Sequence, residues 1–175
     1  LGVQDFDEKV QLAIRRVQPF AMTAQVIDWL RDVGIEAINL DLMYGLPHQT
    51  QEIVLASIEQ AVSLKPSRIA LFGYAHVSWM KSHQKLIDES ALPDSMTRFE
   101  QAEAAAGALE WAGDRRIGLD HFAHPDDTLV AAQESGGLRR NFQGYTADVA
   151  PFLVGFGASA ISALPQGYVQ NDPEM

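Results

Sequence analysis

Apolar positions along the first two thirds of the chain alternate between helical spacing and short unbroken runs. Val10, Ala13 and Ile14 share one face of a helix predicted over Asp7–Arg16, with Asp7 placed to cap it. Val26, Ile27 and Leu30 do the same over Thr23–Val33, where Thr23 is the expected cap and Gly34 the stop. The run AINLDLM, Ala37–Met43, is bounded by turn residues and predicts a buried strand. Thr50 can cap a helix to about Leu64 that buries Ile53, Val54, Ile58, Ala61 and Val62, and Pro66 marks its end. RIALFGY, Arg68–Tyr74, is the next buried strand. A helix near Trp79–Asp88, a long helix over Asp94–Ala112 and strand-like RRIGLD, Arg115–Asp120, follow. Leu1 lies in what reads as the end of a strand, which suggests a fragment.

Strands separated by helices of this length predict parallel pairing with right-handed crossovers, hence an α/β class. Two architectures fit: an open doubly wound sheet, or part of a (β/α) barrel. Both gather chemistry at the carboxyl ends of the strands. With 175 residues, 47% of them hydrophobic, the chain can bury one sizeable core, and a single domain is the default. A formal charge of −10 leaves no basic stripe for phosphates, so no nucleic-acid partner is expected. No apolar stretch is long enough to cross a bilayer, which points to a cytoplasmic protein without a membrane partner. The absence of cysteine excludes disulfides and thiolate ligands within these residues.

The strand ends select candidates on physical grounds. Asp41 lies in an otherwise apolar strand, where a carboxylate is costly unless something pairs with it. It reads as a ligand group or as a structural ion pair. Gln4 ends the first strand and offers a donor and an acceptor in one plane, suited to an amino acid or a carboxylate, or to a turn hydrogen bond. Tyr74, Ala75 and His76 end another strand, and Asp120 with His121 a further one. Adjacent strand residues point to opposite faces, so Asp120 and His121 are not expected to line one pocket. No metal site is expected from the spacing of the histidines. Arg16, Arg139 and Arg140 are the candidate anion grips, because guanidinium forks hold carboxylates bidentately. The last two open RRNFQGYT, Arg139–Thr146, which has no period of helix or strand and is expected as a loop closing over the strand ends.

The segments GVQDF, NLDLMYGLP, YAH, LDHFAHPDD, RRNFQGYT and GASAIS, taken in order, resemble the oxygen-independent coproporphyrinogen III oxidases, radical S-adenosylmethionine enzymes of haem biosynthesis. The resemblance runs across nearly the whole chain. DHFA with PDD, and NFQGYT, are its selective parts. GVQ and YGLP-type segments also occur in related haem-chaperone-like proteins, which bind haem rather than oxidise a substrate and form the alternative reading. The resemblance implies a partial (β/α) TIM-like barrel, with the opening strands and most of a C-terminal helical domain missing from this chain. It implies oxidative decarboxylation of coproporphyrinogen III to protoporphyrinogen IX by a monomeric enzyme using S-adenosylmethionine, a four-iron, four-sulfur cluster and an electron acceptor that the sequence does not identify. The family holds the cluster in a C-x3-C-x2-C motif absent here, so the chain by itself is expected to be inactive. By motif position, Gln4, Arg16, Asp41 and Ala75 resemble residues of a second S-adenosylmethionine site, and Ile161 a contact to the first. His124 stands where the family more often has arginine. Within the loop, Arg139 and Arg140 are expected to meet substrate carboxylates, Phe142 and Tyr145 to give apolar cover, and Asn141 and Gln143 to form hydrogen bonds.

Overall fold

The computed structural model describes residues 1–142 and 144–173. A five-stranded sheet has the order β1-β2-β3-β5-β4, built from β1 (Gly2–Gln4), β2 (Asn39–Tyr44), β3 (Arg68–Gly73), β4 (Arg115–Ile117) and β5 (His121–Ala123). The helices are α1 (Glu8–Ala13), α2 (Phe20–Asp32), α3 (Gln51–Ser63), α4 (Ser95–Trp111) and α5 (Thr128–Glu134). Asp7, Thr50 and Asp94 cap α1, α3 and α4 through side-chain oxygens that accept the Val10, Ile53 and Thr97 N–H groups. Helix α2 starts at Phe20 rather than Thr23. Thr23 is buried inside the helix, where its hydroxyl accepts from Gln18 Nε2 at 3.1 Å instead of capping.

Strands β1, β2 and β3 are parallel, as expected, but β5 runs antiparallel to β3 and β4 antiparallel to β5. The reason is length. Only Gly118–Asp120 join β4 to β5, too short for a crossover, so RRIGLD ends in a hairpin turn rather than continuing as one strand. RRNFQGYT likewise forms a hairpin, β6 (Arg139–Asn141) with β7 (Gly144–Thr146), where a loop without regular structure was expected. Trp79–Asp88 forms no α-helix. A 3₁₀ turn at Ser82–Leu86 is tied by the Gln84 side chain, which accepts the Val77 N–H and donates to Ala75 O. A last hairpin joins β8 (Ile161–Leu164) to β9 (Gly167–Gln170).

Sheet alternation separates two faces. Leu40, Leu42, Ile69, Leu71 and Phe122 point to one, where they pack with Ile27 of α2, Val54, Ile58 and Ala61 of α3, and Ala105, Ala106 and Leu109 of α4. The other face carries Asn39, Asp41, Ala70, Phe72, His121 and Ala123. Toward β4 that face is covered by Leu129 and Val130 of α5 and by Tyr145 of the β6–β7 hairpin. No helix among the described residues is long and apolar enough to cross a membrane.

Candidate functional site

Register places the polar groups of the second face on one row. Gly2 pairs with Asp41, Asp41 with Ala70, and Ala70 with His121, so these four side-chain positions lie side by side across the sheet. Asp41 and His121 are two strands apart, roughly 10 Å at the backbone. Between them stands a single methyl group, that of Ala70.

At the β1 end, Gln4 has a left-handed backbone, φ 74°, and its amide turns back beside Gly2. A Cβ at Gly2 would lie 3.0 Å from Gln4 Nε2 and 3.2 Å from Arg16 Nη2, so the missing side chain is what admits both groups. Arg16 Nη2 donates to Gly2 O. Half-buried Asp41 accepts from Asn39 Nδ2 at 2.7 Å, and among the described residues no salt bridge forms at its carboxylate. A guanidinium, a side-chain amide and a carboxylate thus converge around one glycine. This donor set fits a zwitterionic amino acid: the carboxylate meets a cation, while the guanidinium and amide meet an anion.

At the other end of the row, Asp120 and His121 are hydrogen-bonded, Oδ1 to Nδ1 at 2.8 Å. The objection that neighbouring strand residues face apart fails because Asp120 belongs to the β4–β5 turn and bends back to the ring. Its Oδ2 lies 3.4 Å from Arg140 Nη2. The Arg140 guanidinium lies over the Tyr145 ring, 5.0 Å from its centroid, and the Tyr145 hydroxyl accepts the Leu119 N–H at 3.1 Å. The imidazole stands edge-on between Tyr145 and Phe72.

The remaining candidates scatter. Ala75 is exposed just past β3, its carbonyl bonded to Gln84 Nε2. Ile161 lies in the separate β8–β9 hairpin, which meets the loop through an edge contact between Tyr168 and Phe142, with centroids 6.2 Å apart. Arg139 is exposed and pairs across the hairpin with Thr146, one position off the Arg140–Tyr145 pair, so the two arginines face apart. Asn141 is half-buried in β6. Gln143 lies outside the described residues. His76 is held between the Tyr74 hydroxyl and Glu89, each at 3.0 Å, and exposed His124 stands past β5 at the opposite rim.

A buried amide network beneath the rim has no counterpart in the expectations. Asp5, fully buried, accepts the Asp7 N–H at Oδ1 and Gln49 Nε2 at Oδ2, both at 2.6 Å. Gln49 Oε1 accepts the Leu46 N–H, and its Nε2 also reaches Met43 O. Gln101 of α4 accepts the Gly45 N–H and donates to Gln49 O. Gly45 has φ 81° and stands where a Cβ would meet Arg98 Nε at 2.8 Å, so a side chain in the turn after β2 would be strained and would displace Arg98. The network fixes the ends of β1 and β2, and with them Gln4.

Burial pushes the Asp5 carboxyl above its ordinary value of 3.8, against the lowering effect of the Asp7, Gln49 and Ser57 hydrogen bonds. The folded state therefore holds this proton longer than the unfolded chain does. Its stabilising contribution is fully present below 3.8 and is lost as pH rises through the raised folded value. Asp5→Asn is expected to remove that fall, leaving a flatter dependence of unfolding free energy on pH in urea titrations. It should also cost about 1–3 kcal/mol, because one donor then faces an amide NH2. An unchanged pH slope would contradict this reading.

A cleft of about 640 Å³ lies at the opposite rim among Lys65, Arg68, Asp114 and Asp127, where Arg68 and Asp127 pair at 2.8 Å. A smaller one, about 380 Å³, opens at the carboxyl rim beside Tyr44, Gly73, Phe99, Leu119 and Asp120.

No protein-family model matches the chain. Over all 175 residues it is 55% identical to the oxygen-independent coproporphyrinogen III oxidase of Bradyrhizobium diazoefficiens, covering 39% of that protein. The chain is thus similar in sequence, over its whole length, to the oxygen-independent coproporphyrinogen III oxidases. The oxidase of the same name from Cereibacter sphaeroides is 53% identical over 171 residues, of which the chain covers 38%. The solved structure of the coproporphyrinogen III oxidase HemN from Escherichia coli, described as a radical SAM enzyme, matches with a TM-score of 0.93 and 38% identity over 99% of this chain and 40% of that one. The chain thus spans about two fifths of the length of these oxidases.

Proposed function

We propose that this chain is the part of an oxygen-independent coproporphyrinogen III oxidase that presents S-adenosylmethionine and substrate to each other across one sheet row, for conversion of two propionates to vinyl groups. The observation that carries the reading is the row itself, with a zwitterion-matched cluster at Gln4, Arg16 and Asp41 and a cationic, aromatic cluster at His121, Arg140 and Tyr145. Asp41 would meet the ammonium or sulfonium of S-adenosylmethionine, and Arg16 with Gln4 its carboxylate. When bound with a reduced cluster, S-adenosylmethionine supplies the radical that oxidises the propionate. Ala75 and Ile161 are proposed as further contacts to S-adenosylmethionine, at its second and first sites respectively. Arg139, Arg140, Asn141, Phe142, Gln143 and Tyr145 are proposed to hold the tetrapyrrole, with Arg140 rather than Arg139 facing the row. The sheet, with α2, α3 and α4 on one face, is read as part of the wall of a partial (β/α) barrel.

The cluster does not fit within these residues, since no cysteine is present to ligate iron. The chain by itself should bind no iron after anaerobic reconstitution with iron and sulfide and should release no 5′-deoxyadenosine. Stoichiometric iron or S-adenosylmethionine cleavage would contradict this.

The function is tested by incubating the full-length protein that contains this segment, reconstituted anaerobically, with coproporphyrinogen III, S-adenosylmethionine and a reductant. Protoporphyrinogen IX is the expected product. Tight haem binding without conversion would instead support the chaperone-like alternative.

A further inference from the structure

The imidazole of His121 has one nitrogen committed and one open. The residue is only 8% exposed, and its Nδ1 must carry a proton to bond the Asp120 carboxylate. Nε2 has no hydrogen-bond partner among the described residues and is not sealed from solvent. What lies against it is Gly144, with φ 133°, where a Cβ would stand 3.1 Å from Nε2. A glycine there leaves the nitrogen uncovered. Any side chain would close it.

Resting on the oxidase reading above, we propose that His121 is a substrate contact, its Nε2 gripping a propionate carboxylate of the tetrapyrrole, and that Asp120 is the positioning residue that fixes the ring. The charges support this class of ligand. The groups facing the ring are Asp120 from the turn, Tyr145 from the hairpin and Phe72 from β3, and Arg140 lies against Asp120 and the Tyr145 ring. Asp120 is shared between the imidazole and the guanidinium, so one negative charge meets two cationic partners once Nε2 is protonated. An arriving carboxylate restores balance, taking the Nε2–H bond while the proton comes from solvent. No electrons move in this binding step. The long 3.4 Å contact leaves Arg140 donors for the same anion or for a second carboxylate. Directly across Ala70, at roughly 10 Å, lies the Asp41 cluster, so a propionate held here is presented toward the proposed S-adenosylmethionine site.

The test uses the full-length protein without its cluster, so that binding is read apart from activity. Dissociation constants are measured by fluorescence for coproporphyrin III and for mesoporphyrin IX, which replaces two of the four propionates by ethyl groups. His121→Asn keeps an atom near Nδ1 but none at Nε2, and should weaken coproporphyrin III binding roughly ten- to hundredfold. His121→Gln reaches the Nε2 position and should recover most of that loss. Loss for coproporphyrin III alone places the contact on a reacting propionate, and equal loss for both probes places it on a retained one. Asp120→Asn, a change in an accessible turn, should weaken binding several-fold with little change in melting temperature, and serves if His121→Asn does not fold. Wild-type affinity in folded His121→Asn, or in Asp120→Asn if the former is unfolded, overturns the proposal. Equal weakness of folded Asn and Gln variants also overturns it, by pointing to packing of the ring. Conversion of coproporphyrinogen III by the unmodified, reconstituted protein is scored separately. An active unmodified protein with unaffected variants sinks only the role of His121, whereas an unmodified protein that neither binds nor converts sinks the oxidase reading itself.

Discussion

Gln49→Leu should destabilise the fold by roughly 3–5 kcal/mol, enough to leave a domain of this size marginal. The substitution changes side-chain volume little, and the loss comes from the partners left behind. Gln49 Nε2 serves Asp5 Oδ2 and Met43 O, and Oε1 serves the Leu46 N–H. Two of the three are buried, Leu46 and Asp5, and Asp5 has its carboxyl group fully removed from solvent. Leaving a buried donor or acceptor unpaired costs about 1–3 kcal/mol each, more for a charged group. Urea unfolding of the purified variant measures the loss. A variant within about 1 kcal/mol of wild type would mean that water replaces the amide and that the network does not hold the ends of β1 and β2.

Asp41→Asn in the full-length protein should weaken S-adenosylmethionine binding roughly 10- to 100-fold, the range of a lost hydrogen bond to a charged group. Stability should change far less. Asp41 is half-buried, its carboxylate accepts from Asn39 Nδ2, and the Asn variant can still accept that bond through its own oxygen. What disappears is the negative charge beside Arg16 and Gln4, the feature that matches an ammonium or sulfonium group. Equilibrium dialysis of S-adenosylmethionine and thermal melting, run together, separate the two effects. Wild-type binding with wild-type melting would leave Asp41 a bystander in the strand.

Elements with a strong period were legible in the sequence. Helices α3 and α4 and strands β2 and β3 lie within a residue or two of the expected spans, because their apolar spacing and caps act locally. The antiparallel β4–β5 pair was not legible, since RRIGLD gives no signal distinguishing a turn at Gly118 from a continuing strand. The β6–β7 hairpin escaped for a related reason: its strands are three residues each and carry arginine and asparagine where alternation would be expected. The glutamine network is the deepest omission. Nothing in the sequence pattern marks Gln49 and Gln101 for burial, which is set by partners 44 to 56 positions away. A buried glutamine announces itself only once the chain has folded. Of the site, Gln4, Arg16 and Asp41 do converge around Gly2, whereas the bond between Asp120 and His121 depended on a turn the sequence did not reveal.

Whether these 175 residues supply the S-adenosylmethionine and substrate row of a coproporphyrinogen III oxidase is tested by a segment exchange. The matching segment of the Bradyrhizobium diazoefficiens oxidase, 55% identical, is replaced by this chain, leaving the remainder of that protein as host. After anaerobic reconstitution, the chimera is assayed for conversion of coproporphyrinogen III to protoporphyrinogen IX, beside the unmodified host and a chimera carrying Asp41→Asn. Conversion within about tenfold of the host and a large loss with Asp41→Asn are expected. A chimera that folds, binds its cluster and cleaves S-adenosylmethionine yet forms no protoporphyrinogen IX would contradict this role.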